Sequence, residues 1–476
     1  MAENRSSRLR TLPEMQFPVA PRGVRIFATI ALVGIVVAFG RQGTIRLDGA
    51  YQPDFEYFYK AGASLLHDGD IDDGIDRTAD GKIIARGKLD WYLPFVPRFM
   101  TIFALLPLKP AAVCWIFMNI FCVIATVRLI GREFVGFPPQ DWAVTQLLPL
   151  LLLTRFWFWE FGLNQIDSLT LFLMVLAFVA TQRGHEKRAG FWLGLAILIK
   201  VTPVLLVVWY ALKRKSRTVA FALLTAFLGG PVSDAIVFGP SRAIDLYSQW
   251  VTNAVTAGSH RGLILSQKEM DWRNQGWGAI ASRWLHRTNW ETRFDNDPRM
   301  DNSPDVRYLN VADLPLPQVA QVVNILMFAS LLLLIWFTRQ PAAKVSDWRL
   351  RIEWALYLLA MLWMMPVMRR YHMVWAFPAV ALIGPFLHRY GVRVAWSKLA
   401  AAALAIVVAI QVAISWPIFE AGGALQLGVF MLAFTMITLL VRVRRAEVPV
   451  LPSTTEVAPI HANGARSDPQ PATPNE

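Results

Sequence analysis

The chain has 476 residues, 55% of them hydrophobic, with a mean hydropathy of +0.39. Soluble domains are roughly 45–50% apolar, and here the excess lies in long blocks of membrane-span length. The net charge of +13, from 47 basic and 34 acidic residues, suits cytosolic loops facing anionic headgroups, and the lack of a basic stripe interleaved with stacking aromatics argues against a nucleic-acid partner. Cys114 and Cys122 share one apolar segment, about 12 Å apart along a helix. They cannot pair with each other, so neither a disulfide framework nor a cysteine metal site is expected.

Arg5, Arg8, Arg10, Arg22 and Arg25 precede the first apolar block, 23–40. The small residues Ala38 and Gly40 are compatible with a cleaved signal, but the later spans need a topological partner, which favours an uncleaved anchor. Next comes Gln52-Pro53-Asp54-Phe55-Glu56-Tyr57-Phe58-Tyr59-Lys60, an acid among aromatics just after a span. It reads either as chemistry at a membrane surface or as an interfacial anchor. The run Asp68-Gly69-Asp70-Ile71-Asp72-Asp73-Gly74 hints at calcium but fails the EF-hand pattern: Asp73 stands at the glycine position and Ala79 at the glutamate position. The block 95–107 is short and bounded by prolines. Spans are expected near 110–130, 142–159 and 167–182, with Arg155, Glu160, Asn164, Gln165 and Asp167 around the turn between the last two. The block 189–212 is interrupted by Lys200 and Pro203. Further spans are expected near 218–238, 318–337, 352–368, 371–387, 398–416 and 424–443, with Arg369, Arg370 and His372 between 352–368 and 371–387.

The basic clusters set the topology. They are the N-terminus, Arg128/Arg132, Arg183/Lys187/Arg188, Lys213–Arg217, Arg339–Arg351, Arg389/Arg393 and Arg442–Arg445. All can be cytosolic under the positive-inside rule only if 189–212 enters and leaves on one side as a broken hairpin. The expected fold is an all-α polytopic membrane protein with about ten full spans plus partial or re-entrant helices. Its parts are a cytosolic basic N-terminus (1–22), a membrane domain (23–443) and a disordered cytosolic tail (444–476) rich in Pro, Thr and Ala. The protein is expected in the cell membrane with both termini cytosolic. Two loops face outward: 41–95, rich in Asp, and 239–316, which carries Trp250, Trp272, Trp277, Trp284 and Trp290.

An ionisable group at membrane depth costs about 2.5–3.5 kcal/mol even on the lenient insertion scale, so it is usually functional or paired. Arg155 and Arg369 have snorkelling as an alternative role, and Lys200 has an ion pair with a neighbouring helix. The collected groups suit one task. A sugar carried on a polyprenyl phosphate has an anionic leaving group at the membrane surface. Asp54 would take the proton of an acceptor hydroxyl. Arg369, Arg370, His372 and Lys200 would hold the departing phosphate. The outer tryptophans would stack on sugar faces or anchor the interface.

Several segments in shared order resemble glycosyltransferase family 87. They are Asp54-Phe55-x-Tyr57-Phe58-Tyr59-x-Ala61-Gly62-Ala63-Ser64-Leu65-Leu66; Trp91-Tyr92-Leu93-Pro94-Phe95 with Leu106-Pro107-Leu108; and Asn164-Gln165-Ile166-Asp167. Next are Ala189-Gly190 through Lys200-Val201-Thr202-Pro203, Asn274-Gln275-Gly276 with Arg283, and Tyr371-His372. The resemblance covers about residues 23–388. It implies a GT-C fold and an inverting, polyprenol-phosphate-mannose-dependent transferase without an obligatory metal or other cofactor. Asp54 would be the general base. His372, Lys200, Arg283, Arg369, Arg370, Gln165, Asn274 and Gln275 would contact donor phosphate or acceptor. The partners would be a polyprenyl-phosphate sugar, a glycolipid or glycan acceptor, and membrane lipids. The chain departs from the family pattern at Asn164 (glycine there), at Asp167 (asparagine there) and in Met368-Arg369-Arg370-Tyr371, where a Ser-Trp context precedes the histidine. A transporter or lipid flippase and a non-catalytic scaffold are the competing readings. No internal repeat supports the first.

Overall fold

The computed structural model describes residues 19–46, 54–69, 71, 76–77, 83–85, 92–251, 272–288, 290 and 308–444. The basic stretch 1–18, Asp70 and Asp72–Gly74 of the acidic run, and the tail 445–476 expected to be disordered lie outside these residues.

Helix α1 (Arg22–Arg46) carries the first apolar block, and α2 (Asp54–Asp68) begins on Asp54 itself. A small antiparallel hairpin, β1 (Asp76–Arg77) with β2 (Ile83–Ala85), follows. Pro94 and Pro107 stand immediately before α3 (Phe95–Ala104) and α4 (Leu108–Glu133), where a missing N–H costs nothing. The expected span 142–159 is broken into α5 (Trp142–Leu151) and α6 (Thr154–Gly162). α6 then bends by 117° into α7 (Asp167–Gln182). The interrupted block becomes α8 (Glu186–Ile199) and α9 (Val204–Leu212), parted at Lys200–Pro203. α10 (Ser216–Phe227) runs through a π turn holding Pro231 into α11 (Ser233–Phe238). After these come α12 (Pro240–Val251), α13 (Trp277–Leu285), α14 (Leu316–Thr338) and α15 (Asp347–Met364). A 3₁₀ turn (Arg370–Ala376) leads into α16 (Phe377–Tyr390), then α17 (Ala395–Ala413), α18 (Pro417–Ala421) and α19 (Ala424–Arg444).

Among the described residues, six helices are long and apolar enough to cross a membrane, or seven with the bent α6–α7 pair counted as one. The expected count of about ten is not reached among these residues. Hydropathy does not see breaks: 142–159 stops at Leu151, and 371–387 spends its first turn in the 3₁₀ segment. α15 fails the same test because Asp347, Arg349, Arg351 and Glu353 crowd its first turns. It is nevertheless the central helix, with Trp354, Ala355, Tyr357, Leu358, Leu359 and Leu362 fully enclosed. The α10–α11 span is peripheral, with only 17% of its window buried and Leu223, Leu224 and Phe227 exposed. Helices in lipid gain little from apolar burial and associate by close packing over small residues. Gly190 and Gly194 do this for α8 against α10: a Cβ on either would sit 2.5 Å from Phe221 or Thr225.

α7, α8 and α9 fix the site's position. Thr181 Oγ1 donates to Tyr210 Oη at 3.2 Å, and Lys215 Nζ lies 3.1 Å from Glu186 Oε1. The two feet of the α8–α9 hairpin are therefore at one end, with Lys200 at its tip beside the start of α7. The sequence expectation of a broken hairpin holds in this geometry. The foot end also holds Arg25 near Asp141, Arg183 on Glu133, and the buried pair of Lys213 and Glu353. α4 runs the length between the ends: Asn119 touches the turn before α7, and Glu133, about 21 Å further on, meets Arg183.

Candidate active site

The end opposite the basic clusters is built around the turn Leu163–Ile166. Asn164 takes a left-handed backbone (φ 51°), which Asn tolerates better than most residues, and this reverses the chain sharply between α6 and α7. Neighbouring helices hold the turn. Trp115 Nε1 donates to the Asn164 carbonyl at 3.0 Å, and Asn119 Nδ2 donates to the Gln165 carbonyl at 3.2 Å. Glu160 Oε1 accepts from Ser168 N (2.7 Å) and Ser168 Oγ (2.9 Å), satisfying an orphan donor of the first turn of α7.

This turn organises Asp54. The Asp54 backbone N–H donates to the Leu163 carbonyl at 2.9 Å, and the Gln165 side-chain amide donates to Asp54 Oδ2. Asp54 is only 5% exposed, so its carboxylate has a fixed direction. Two residues beyond Gln165, Asp167 Oδ1 lies 2.8 Å from Lys200 Nζ. Its Oδ2 lies 3.8 Å from His372 Nε2. Lys200 thus has the ion pair with a neighbouring helix that was its alternative role, and it also sits 5.1 Å from the Trp375 ring centre. Trp375 Nε1 donates to the Asp167 carbonyl at 3.2 Å, closing the corner.

His372 rides on the 3₁₀ turn outside the helices. Its Nδ1 accepts from the Arg369 backbone N–H at 2.8 Å, so the proton of the neutral ring is on Nε2, facing Asp167. Burial first, then the charges of Lys200 and Arg369, hold this imidazole well below its usual range. Tyr92, in the loop before α3, packs edge-on against Phe58. Burial, then Asp167, Asp54 and Glu160, push its phenol well above the ordinary value, so it stays protonated.

Asp54, Gln165, Lys200 and His372, far apart in sequence, therefore form one cluster. The other expected ligands fall next to it, in a staple. Arg370 grips Glu420, with Nε at 2.9 and 3.0 Å from its two oxygens, and donates to the Ile414 carbonyl at 3.0 Å. Its guanidinium lies near the rings of Trp159 and Trp272, at 4.7 and 5.5 Å. Arg283 is fully buried and donates to the Ala421 and Asn274 carbonyls at 2.8 and 2.9 Å. Asn274 Oδ1 accepts from Gly276 N and Met368 N at 2.8 and 3.1 Å. Gln275 N donates to the Met368 carbonyl at 2.8 Å, and its side-chain amide donates to the Glu420 carbonyl. These residues fix the segment that leads into His372. Arg155 joins α6 to the end of α17 through Gln411 and Ser415 Oγ.

Sequence reasoning gave no site role to Tyr92, Trp375 or the ion-pairing side of Asp167. Tyr92 sits inside a quoted motif and Asp167 at a departure from the family pattern, but nothing local to Trp375 marks it. Among the described residues no group of three or more His, Cys, Asp or Glu is arranged to hold a metal.

No curated protein matches the chain. A similar solved structure is ArnT from Cupriavidus metallidurans bound to undecaprenyl phosphate, at 13% identity over 87% of this chain and 77% of that one, with a TM-score of 0.39. Residues 91–350, more than half of the chain, match the profile of Glycosyltransferase family 87. With several apolar helices of spanning length, the chain is a membrane glycosyltransferase and belongs to glycosyltransferase family 87.

Proposed function

We propose that this protein has a GT-C architecture and transfers a sugar, mannose by family resemblance, from a polyprenyl-phosphate donor to a glycolipid or glycan acceptor, with inversion, at the non-cytosolic face. One observation carries the reading: Asp54 stands aimed by Gln165 in the same cluster as Lys200 and His372. That cluster lies at the end opposite Arg25, Arg183 and Lys213, and the positive-inside rule assigns those residues to the cytosol.

In the reaction, an acceptor hydroxyl oxygen attacks the anomeric carbon while its proton passes to the Asp54 carboxylate. The bond from that carbon to the phosphate oxygen breaks, and the electron pair leaves with the polyprenyl phosphate. The developing charge on phosphate is met by the Lys200 ammonium and the His372 Nε2–H, donors already in place before reaction. Gln165 holds Asp54 by one carboxylate oxygen.

The test incubates membranes containing the protein with radiolabelled polyprenyl-phosphate mannose and identifies the product. Asp54→Asn should cut transfer about 10²–10⁴-fold while donor binding persists. Equal product from Asp54→Asn would remove Asp54 from the mechanism, and labelled lipid crossing the membrane with no new glycosidic bond would replace transfer by translocation.

A further inference from the structure

Asp167 is fully buried, while the Lys200 side chain it holds is 13% exposed. The lysine side chain is therefore partly open, and the carboxylate is not. Oδ1 is spent on Lys200 at 2.8 Å. Oδ2 faces His372 Nε2 at 3.8 Å, too far for a hydrogen bond, and has no hydrogen-bond partner among the described residues. Both groups assigned to the phosphate thus share one inner anion, locked by Trp375 on its own carbonyl.

We propose that Asp167 is a positioning residue and internal counter-charge that limits how tightly Lys200 and His372 hold phosphate, so that the polyprenyl phosphate product can leave. The inference rests on the reading above that Lys200 and His372 bind the donor phosphate. Asp167 balances the charge of Lys200. A phosphate approaching Lys200 shares the ammonium with Asp167 and feels the carboxylate's repulsion from about 6 Å. At the effective protein dielectric this weakens phosphate binding about tenfold to a hundredfold. The donor loses part of its ground-state affinity, and the lipid phosphate left after transfer dissociates faster.

The experiment measures binding of a polyprenyl phosphate in mixed detergent micelles to the full-length wild type and to Asp167→Asn, alongside KM and kcat for transfer. Asn matches the carboxylate in shape and removes its charge. The expected result is at least tenfold tighter polyprenyl phosphate binding, a lower donor KM and a lower kcat limited by release. Asp167→Asn combined with Lys200→Gln should lose the added affinity. Equal or weaker binding in a folded Asp167→Asn protein overturns the inference, as does a gain that survives in the double variant. If Asp167→Asn fails to fold, Asp167→Ser carries the same expectation, and failure of both would reduce Asp167 to a structural role. Absence of binding by the wild type would instead sink the phosphate reading itself.

Discussion

Arg370 provides a test that separates ligand from scaffold. It lies two residues before His372, and its charge alone recommends it for phosphate. Its Nε and one terminal nitrogen, however, are taken: Nε is 2.9 and 3.0 Å from the Glu420 oxygens, and the terminal nitrogen pairs with Glu420 and reaches the Ile414 carbonyl at 3.0 Å. Glu420 is fully buried and the Arg370 side chain is 12% exposed. Removing one member of such a pair leaves an uncompensated buried charge, a loss of about 3–5 kcal/mol. Arg370→Met should therefore destabilise by that order. Replacing the whole pair with apolar groups is often close to neutral, so Arg370→Met with Glu420→Met should recover most of the loss. The assay is the half-life of the folded protein in detergent at a fixed temperature, read by tryptophan fluorescence, because membrane proteins of this size commonly unfold irreversibly. Donor KM is measured in parallel. If Arg370→Met keeps the wild-type half-life but raises donor KM tenfold, the pairing argument is wrong and Arg370 is a phosphate ligand.

The remaining predictions concern the cluster itself. His372→Asn places an oxygen where Nδ1 accepts from Arg369 N, so the turn should survive. The lost Nε2–H, a hydrogen bond to a charged group of about 1.5–3 kcal/mol, should raise donor KM about tenfold or more, and an unchanged KM would free His372 of that duty. Gly62→Val puts a Cβ about 2.6 Å from the Met100 carbonyl carbon, forcing α2 off α3. Overpacking of this kind costs roughly 1–3 kcal/mol and should also lower transfer by moving Asp54. Wild-type half-life and activity together would show that the α2–α3 contact does not position the base.

Part of the frame around the candidate site was legible from local rules. Pro203 and the polar Lys200 inside an apolar block mark a break, and the break is there. Asp54, read from sequence only as an acid just after a span, is the first residue of α2. Other features were hidden. The apolar block 371–387 hides a 3₁₀ turn because hydropathy is blind to hydrogen-bond pattern, and that turn is what directs His372 inward.

The least legible matter was which cations are free to act. Sequence supplies the sign of a side chain but not its counter-ion, and at membrane depth the counter-ion decides the role. Arg370 finds Glu420 50 positions away, and Arg283 finds the Ala421 carbonyl 138 positions away. Both spend a rigid fork of donors on fixed acceptors. Lys200 also finds a carboxylate, 33 positions away, yet an ammonium has three donors and no plane. Its pair with Asp167 uses one direction, and the side chain stays 13% exposed. The same electrostatic need, a buried cation seeking an anion, thus makes a staple from guanidinium and a charge still open to a ligand from ammonium.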